Sequence, residues 1–456
     1  MTYKQILRIV HKFIPRFVRE QFINDAIAQY SDIKRLNRDA IQSAAEKTID
    51  EEAVVEESIV EEATVEECTL VDSIEELGCK YRLLSQDIDR VITIKGPKLV
   101  IAGEEFQKSD INTKLPDASV YLLENVSLIG LTKILKKNQY FYDFDLNEIS
   151  DYNQIKRPEV IAKVSDGKYS LKYFRDVNKE KVDDKVYICL LDEFAFNYYH
   201  FIVEVMPRFL NILNTLKQSE IFDINNYTVL VDSRLPQQCI SILKIVARSS
   251  NINIYRLEQR QELFCRKVVY GFPLSYFLEN SKNPPNMARD IVIDEEALMG
   301  VKDAILKSVN VEPFKVFGNK KIYLQRISQF RKIVNVNELE LLLHRKGFEF
   351  VNTGAMTIEE QISLMQHADI IVAPSGASLT NIIFMRPNTK VINIYPSTQA
   401  TNYNIFQQLA SVANVDLVHF LTKPVGDSTA LHSDAIVDVN SLESYLDNML
   451  NNKNLK

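Results

Sequence analysis

The sequence predicts an α/β protein of two doubly wound domains facing each other across a cleft, preceded by a basic helical arm and an acidic spacer. Three observations lead there. Residues 320–450 alternate short apolar runs with amphipathic helix-length runs at close spacing, as parallel strands joined by helical crossovers require. A looser alternation of the same kind runs through residues 120–270. The 456 residues are 46% hydrophobic and 25% charged, with 14 prolines and 12 glycines, which excludes collagen-like, low-complexity and wholly disordered chains. At roughly 100 to 200 residues per domain, this length admits two to four domains.

Residues 1–76 stand apart from the rest. Up to Arg38, eight Lys/Arg face only Glu20, Asp25 and Asp32; from Asp39 to Cys79, fourteen Asp/Glu face only Lys47. Ile6, Val10, Phe13 and Phe17 follow helical spacing, with Lys4, Arg8, Lys12, Arg16 and Arg19 outside the stripe. That pattern suits a helix lying in an anionic membrane surface. It also suits a helix packed on the protein's own body or a partner, and Pro15 breaks or kinks any continuous helix. The pentads beginning Glu51-Glu52, Glu56-Glu57, Glu61-Glu62 and Glu66-Glu67 follow. A period of five keeps no apolar face in helix or strand, so a solvated, self-repelling spacer is expected.

The body divides at residue 300, into 77–300 and 301–456. In the first part, Val120 to Leu123, Val186 to Leu191, Val229 to Val231 and Val268 to Tyr270 read as strands, and Tyr199 to Leu216 and Pro236 to Ala247 as helices. In the second, strands are expected at Ile322, Phe348, Ile370, Val391 and Leu417. Helices are expected at 337–345, 358–367, 379–385, 403–412 and 441–450. The stretch Pro284 to Asn319 is the expected crossing between the parts. Ligands of such sheets bind at the carboxyl ends of the strands.

No run of about 18 apolar residues and no signal-peptide pattern occurs, so a cytoplasmic protein is expected, with residues 1–38 as its peripheral contact on the inner membrane. Five cysteines without a C-x-x-C pair argue against a disulfide framework or zinc site. The body is nearly neutral, which gives no footprint for nucleic acid.

Chemistry concentrates in three places. Ile370-Ile-Val-Ala-Pro-Ser375-Gly376-Ala377-Ser378-Leu379-Thr380-Asn381 is an apolar strand entering a small-residue turn and a helix. Small residues let an anion reach the backbone, and a helix N-terminus offers unpaired N–H groups; an ordinary capped turn has the same look. Neither G-x-G-x-x-G nor a P-loop lysine is present. Arg326 and Arg331 follow the strand at Ile322, and guanidinium forks suit phosphate oxygens. His200, Glu204 and Arg208 recur every fourth residue on one helical face, a row able to supply a base, its orienting group and an anion contact; structural pairing is the alternative. The D-x-D triplets Asp87-Ile-Asp89 and Asp143-Phe-Asp145 are too short to assign a metal, and none is assigned.

Taken in order, these pieces resemble the family 61 glycosyltransferases over roughly residues 187–450. They are His200-x-x-x-Glu204-x-x-Pro207-Arg208; Arg326 and Arg331 before Asn335-x-x-Glu338-Leu339; Gln361 ahead of Ala368-Asp369; Gly376-Ala377-x-Leu379-Thr380-Asn381 with Phe384-Met385; and the tail His432-Ser-Asp434 to Asp438. The resemblance implies a GT-B architecture of two Rossmann-like domains. It also implies an inverting transfer from a nucleotide-sugar donor, held mainly by the C-terminal domain, to a glycan or lipid-linked glycan acceptor of bacterial surface polysaccharide (capsule, O-antigen or exopolysaccharide). It implies His200 or Glu204 as base. Arg208, Arg326, Arg331, Ser375, Gly376, Ala377, Ser378, Thr380 and Asn381 become substrate contacts, without cofactor or metal. The family's usual turn is His-Gly-Ala-Gly, and Ser375 and Ser378 depart from it. That departure motivates a competing expectation, a catalytically silent nucleotide- or glycan-binding scaffold at the membrane.

Overall fold

The computed structural model describes residues 63–452 except 72, 79–80, 85–89, 117, 143–159, 166–167, 177–184, 220–226, 250–251, 278–290, 310–319, 329, 399–401 and 427–432. Contacts divide the chain into Met1–Glu62 and Ala63–Lys456. The basic arm, most of the acidic repeat, and both D-x-D triplets lie outside the described residues. Among the described residues, no helix is long and apolar enough to cross a membrane.

Two eight-stranded sheets form the body. In the first, Val186–Cys189 pairs in parallel with Tyr227–Asp232 and Glu262–Gly271, and Tyr227–Asp232 with Asn253–Leu257. Runs such as Val229 to Val231 are apolar without alternation because both faces are covered. The other half departs from the doubly wound expectation. Val120–Ile129, Ile134–Lys136 and Tyr140–Tyr142 pair antiparallel, beside Glu262–Gly271. The loops between these strands are too short for the crossover that parallel pairing needs.

The second sheet runs Glu349–Val351, Lys320–Leu324, Ala368–Pro374, Lys390–Pro396, Asp416–Val425, all parallel. The five strands expected at 322, 348, 370, 391 and 417 are therefore neighbours. Their connecting helices are set locally. Ile358–His367, for example, opens with a capping box in which Thr357 and Glu360 satisfy each other's backbone N–H. Ala377–Phe384 winds as a 3-10 helix.

Two segments fall elsewhere than the sequence placed them. Lys98–Ile101 and Glu104–Gln107, inside the expected first domain, extend the second sheet, the former pairing in parallel with Asp416–Val425. Lys98 Nζ, 2.6 Å from Asp416, fixes the register. Thr64–Cys68, expected in the solvated spacer, is a strand antiparallel to Lys168–Tyr173. There Glu66 accepts from Tyr173 Oη at 2.6 Å and Lys136 Nζ at 3.0 Å, while Cys68 is buried. The period-five pattern conceals a short stretch that alternates correctly for an edge strand.

A single apolar core joins helices of both sheets, running from Val120 and Phe201 through Ile293 to Phe384 and Leu417. Cys68, Cys189, Cys239 and Cys265 are buried and unbridged.

Candidate active site

The strand Val186–Cys189 delivers the chain to Asp192, beyond its carboxyl end. Asn197 caps the next helix by accepting from Tyr199 N at 3.0 Å. The helix widens into a π turn over Phe201–Val205 before Met206–Ser219, a distortion that recurs at functional sites. His200 Nδ1 meets Glu204 Oε2 at 2.5 Å, and Glu204 Oε1 accepts from Phe277 N at 2.7 Å. Glu204 thus has both oxygens engaged. The rings of Phe194, Tyr199 and Phe277 surround the imidazole at 5.3 to 5.5 Å.

Arg208, expected as a substrate contact, is buried instead, with 1% of its surface exposed. Its Nη2 donates to Leu191 O at 3.0 Å and lies 3.9 Å from Asp192; Lys133 lies 3.6 Å from the same carboxylate. Burial alone would raise the Asp192 pKa, but Lys133, Arg208 and His200 hold it below the usual carboxylate range. Arg208 therefore braces the strand end and the charge behind His200. Asp192 and Lys133 escaped the sequence reading because neither belongs to a spaced motif; the one signal was a carboxylate directly after an apolar strand.

In the second sheet, Ala368–Pro374 runs into Ser375, whose N–H donates to Ile394 O at 2.9 Å, pinning the turn to the next strand. The Arg326 guanidinium lies across this turn. Its Nη1 donates to Ser375 O at 3.0 Å, and a Cβ on Gly376 would come within 1.9 Å of the same nitrogen. Glycine is needed here for close approach, since its φ of 175° is ordinary extended backbone. Arg331 holds a left-handed φ of 54°, and its buried Nε has no hydrogen-bond partner. Among the described residues neither arginine is ion-paired. Burial, and secondarily Arg331, lowers the Arg326 pKa to about 10; burial also lowers that of Arg331, against the pull of Tyr395. Thr380 Oγ1 is likewise buried without a hydrogen-bond partner. Two partly desolvated cations at this turn form a site suited to an anion.

One hydrogen-bonded chain ties the two regions together. Tyr198 Oη donates to Asn381 Oδ1 at 2.6 Å, Asn381 Nδ2 to Gln361 Oε1 at 2.6 Å, and Gln361 Nε2 to Thr353 O at 2.8 Å. Above it lies a cleft of about 560 Å³, within the size range of small-molecule sites. Of the expected residues, Arg326, Ala377, Ser378 and Asn381 line this cleft. Arg331, Ser375, Gly376 and Thr380 are not among its lining residues, and neither are His200, Glu204 and Arg208. Tyr198, Gln238, Gln325, Asn352 and Gly354 also line it and were not singled out as contacts, being scattered polar residues whose convergence only the fold creates. Among the described residues, no cluster of three His, Cys, Asp or Glu is arranged to hold a metal ion.

Residues 198–392 match the family model described as Glycosyltransferase 61, an interval that contains every site residue expected from the sequence. No curated protein matches the chain.

Proposed function

Since residues 198–392 match the glycosyltransferase 61 family model, we propose that this protein is an inverting transferase. It moves a sugar from a nucleotide-sugar donor to a glycan or lipid-linked glycan acceptor in bacterial surface polysaccharide synthesis. The observation that carries the reading is the pair of half-buried guanidiniums, Arg326 and Arg331, which among the described residues have no carboxylate partner and lie beside the Ser375–Ser378 turn. Two neighbouring half-buried cations without a carboxylate partner favour an anion, and a nucleoside diphosphate brings one of matching charge. The two sheets, each with a parallel section, support a GT-B-like arrangement, with the donor held chiefly by residues 301–456.

In this mechanism the His200 imidazole takes the proton from an acceptor hydroxyl. Glu204, fixed by Phe277 N, holds Nδ1 and stabilises the imidazolium that forms. The hydroxyl oxygen attacks the anomeric carbon from the face opposite the diphosphate. The anomeric C–O bond breaks with its electron pair leaving on the phosphate oxygen, and configuration inverts. Arg326, Arg331 and the N–H groups at Ala377 and Ser378 stabilise the departing charge, so transfer proceeds without added metal. Asn381 and Ser378 contact the donor from the cleft wall.

The test is a thermal-shift panel of nucleoside diphosphates and sugar nucleotides without metal, on the wild type and Arg331→Ala. A selective stabilisation that the substitution abolishes is expected. Release of free nucleoside diphosphate should then require both the selected donor and an acceptor. Stabilisation without release would favour a silent nucleotide-binding scaffold, and no stabilisation by any nucleotide would remove the donor site.

A further inference from the structure

The connection from the strand Lys320–Leu324 to the helix Val336–Arg345 does more than carry two arginines. Beyond Arg331 it forms a short ribbon, with Ile333 bridged to Ala435 and Ala435 N donating to Lys332 O at 2.8 Å. Asp434–Ile436 in turn pairs antiparallel with the end of Asp416–Val425. Ala435 is buried, so its flanking positions and those of Ile333 turn outward, as strand alternation demands. The outward residues are Val334, Ile436 and Val425, exposed by 57%, 42% and 39%, with Lys332 and Lys423 between them, and Phe330, 61% exposed, precedes them beyond the left-handed Arg331. Ile327, 65% exposed and three residues before Phe330, lies at the cleft.

We infer that this facet seats on an anionic bilayer surface and holds the cleft at the membrane. The five apolar side chains offer on the order of 400 Å² of apolar surface, about half of what each partner contributes to a standard protein interface. Shallow insertion needs no more, and it gains from lysines whose stems pack on the apolar groups while their ammoniums reach lipid phosphates. Among the described residues of the ribbon the one carboxylate, Asp434, accepts from Lys332 N at 2.7 Å. A single weak anchor gives only marginal membrane binding, and the basic amphipathic pattern of residues 4–19 supplies a second signal. The inference does not depend on the transferase reading, because it concerns a surface whose binding is measured without donor or acceptor.

The chain contains no tryptophan, so one substitution reports its own surroundings. Full-length Phe330→Trp is mixed with phosphatidylcholine vesicles with and without phosphatidylglycerol. A blue-shifted emission that brominated lipid quenches is expected with phosphatidylglycerol, while Met299→Trp, exposed on the helix Glu295–Ser308, should not respond. Lys332→Gln and Lys423→Gln should each weaken partitioning roughly fivefold, with melting temperatures unchanged. Vesicle binding with an unshifted Phe330→Trp signal would assign the contact to residues 1–62 and overturn the inference, as would no vesicle binding. A shift that follows protein concentration without vesicles would assign the facet to a second copy, with the same consequence.

Discussion

Gly376→Ala isolates what the turn does for Arg326. The added Cβ would meet Nη1 at 1.9 Å, whereas real Cβ contacts stop near 3.0 Å, so the guanidinium must retreat by about 1.1 Å. The backbone feels little, because alanine accepts a φ of 175° and the obstructing atom ends a flexible side chain. The stability cost is at most that of the Arg326 Nη1 to Ser375 O bond, about 1 kcal/mol. The functional cost is far larger, since a misplacement of 1 Å in a charge-stabilising group costs about 100-fold in rate. Gly376→Ala should therefore melt near the wild type while losing about 100-fold in kcat/KM and most of its nucleotide-induced thermal shift. Added to Arg326→Ala it should cost almost nothing further, because both act through one guanidinium. Wild-type turnover in Gly376→Ala, or a fully additive loss in the double variant, would refute the reasoning.

Glu204→Gln should keep its nucleotide-induced shift and lose roughly 10² to 10⁴ in kcat, and combining it with His200→Ala should cost little beyond His200→Ala alone; steady-state kinetics with thermal shift decide this. Glu66→Ala tests the strand found in the acidic repeat. Burial works against that carboxylate, but hydrogen bonds from Tyr173, Tyr140 and Lys136 hold its pKa at about 2. Its stabilisation is thus present above pH 4.5 and lost as pH falls toward 2. Allowing for solvent screening, urea unfolding at neutral pH should show a loss of about 1 kcal/mol, against less than about 0.5 for the exposed Glu67→Ala. His419, whose Nδ1 lies 3.0 Å from Asn393 Nδ2, is pushed by burial down to about 3 from an ordinary 6.5. The unfolded chain then binds the extra proton first, so stability falls as pH drops from 6.5 toward 3. His419→Gln should flatten that part of the stability profile, measured by thermal melts across the range.

Legibility followed the range of the interactions involved. The helix Ile358–His367 was readable to the residue because its cap, its first-turn acids and its apolar face all lie within ten positions. The antiparallel half of the first sheet was not, because an apolar run such as Val120 to Leu123 carries no mark of its partner's direction. Likewise, Lys98–Ile101 reads as one more short strand, and only Asp416, more than 300 residues on, decides which sheet receives it. At the site, His200 and Glu204 were readable as a pair because four residues make one helical turn. Arg208 has the same spacing and a different fate, since Leu191 and Asp192 enclose it.

By itself the sequence determined the alternating strands and helices of residues 320–450, the glycine at the turn and the residue types able to bind a diphosphate, because periodicity, backbone permissiveness and side-chain chemistry are local properties. Only the tertiary structure decided which of those groups face a ligand. Tyr198, Gln361 and Asn381 are far apart in the chain, and their hydrogen-bonded line exists because a shared apolar core brings the helices of both sheets together. The same packing half-buries Arg326 and Arg331 without giving them a carboxylate among the described residues, and a charge's partners follow from where the chain returns, which no local pattern records.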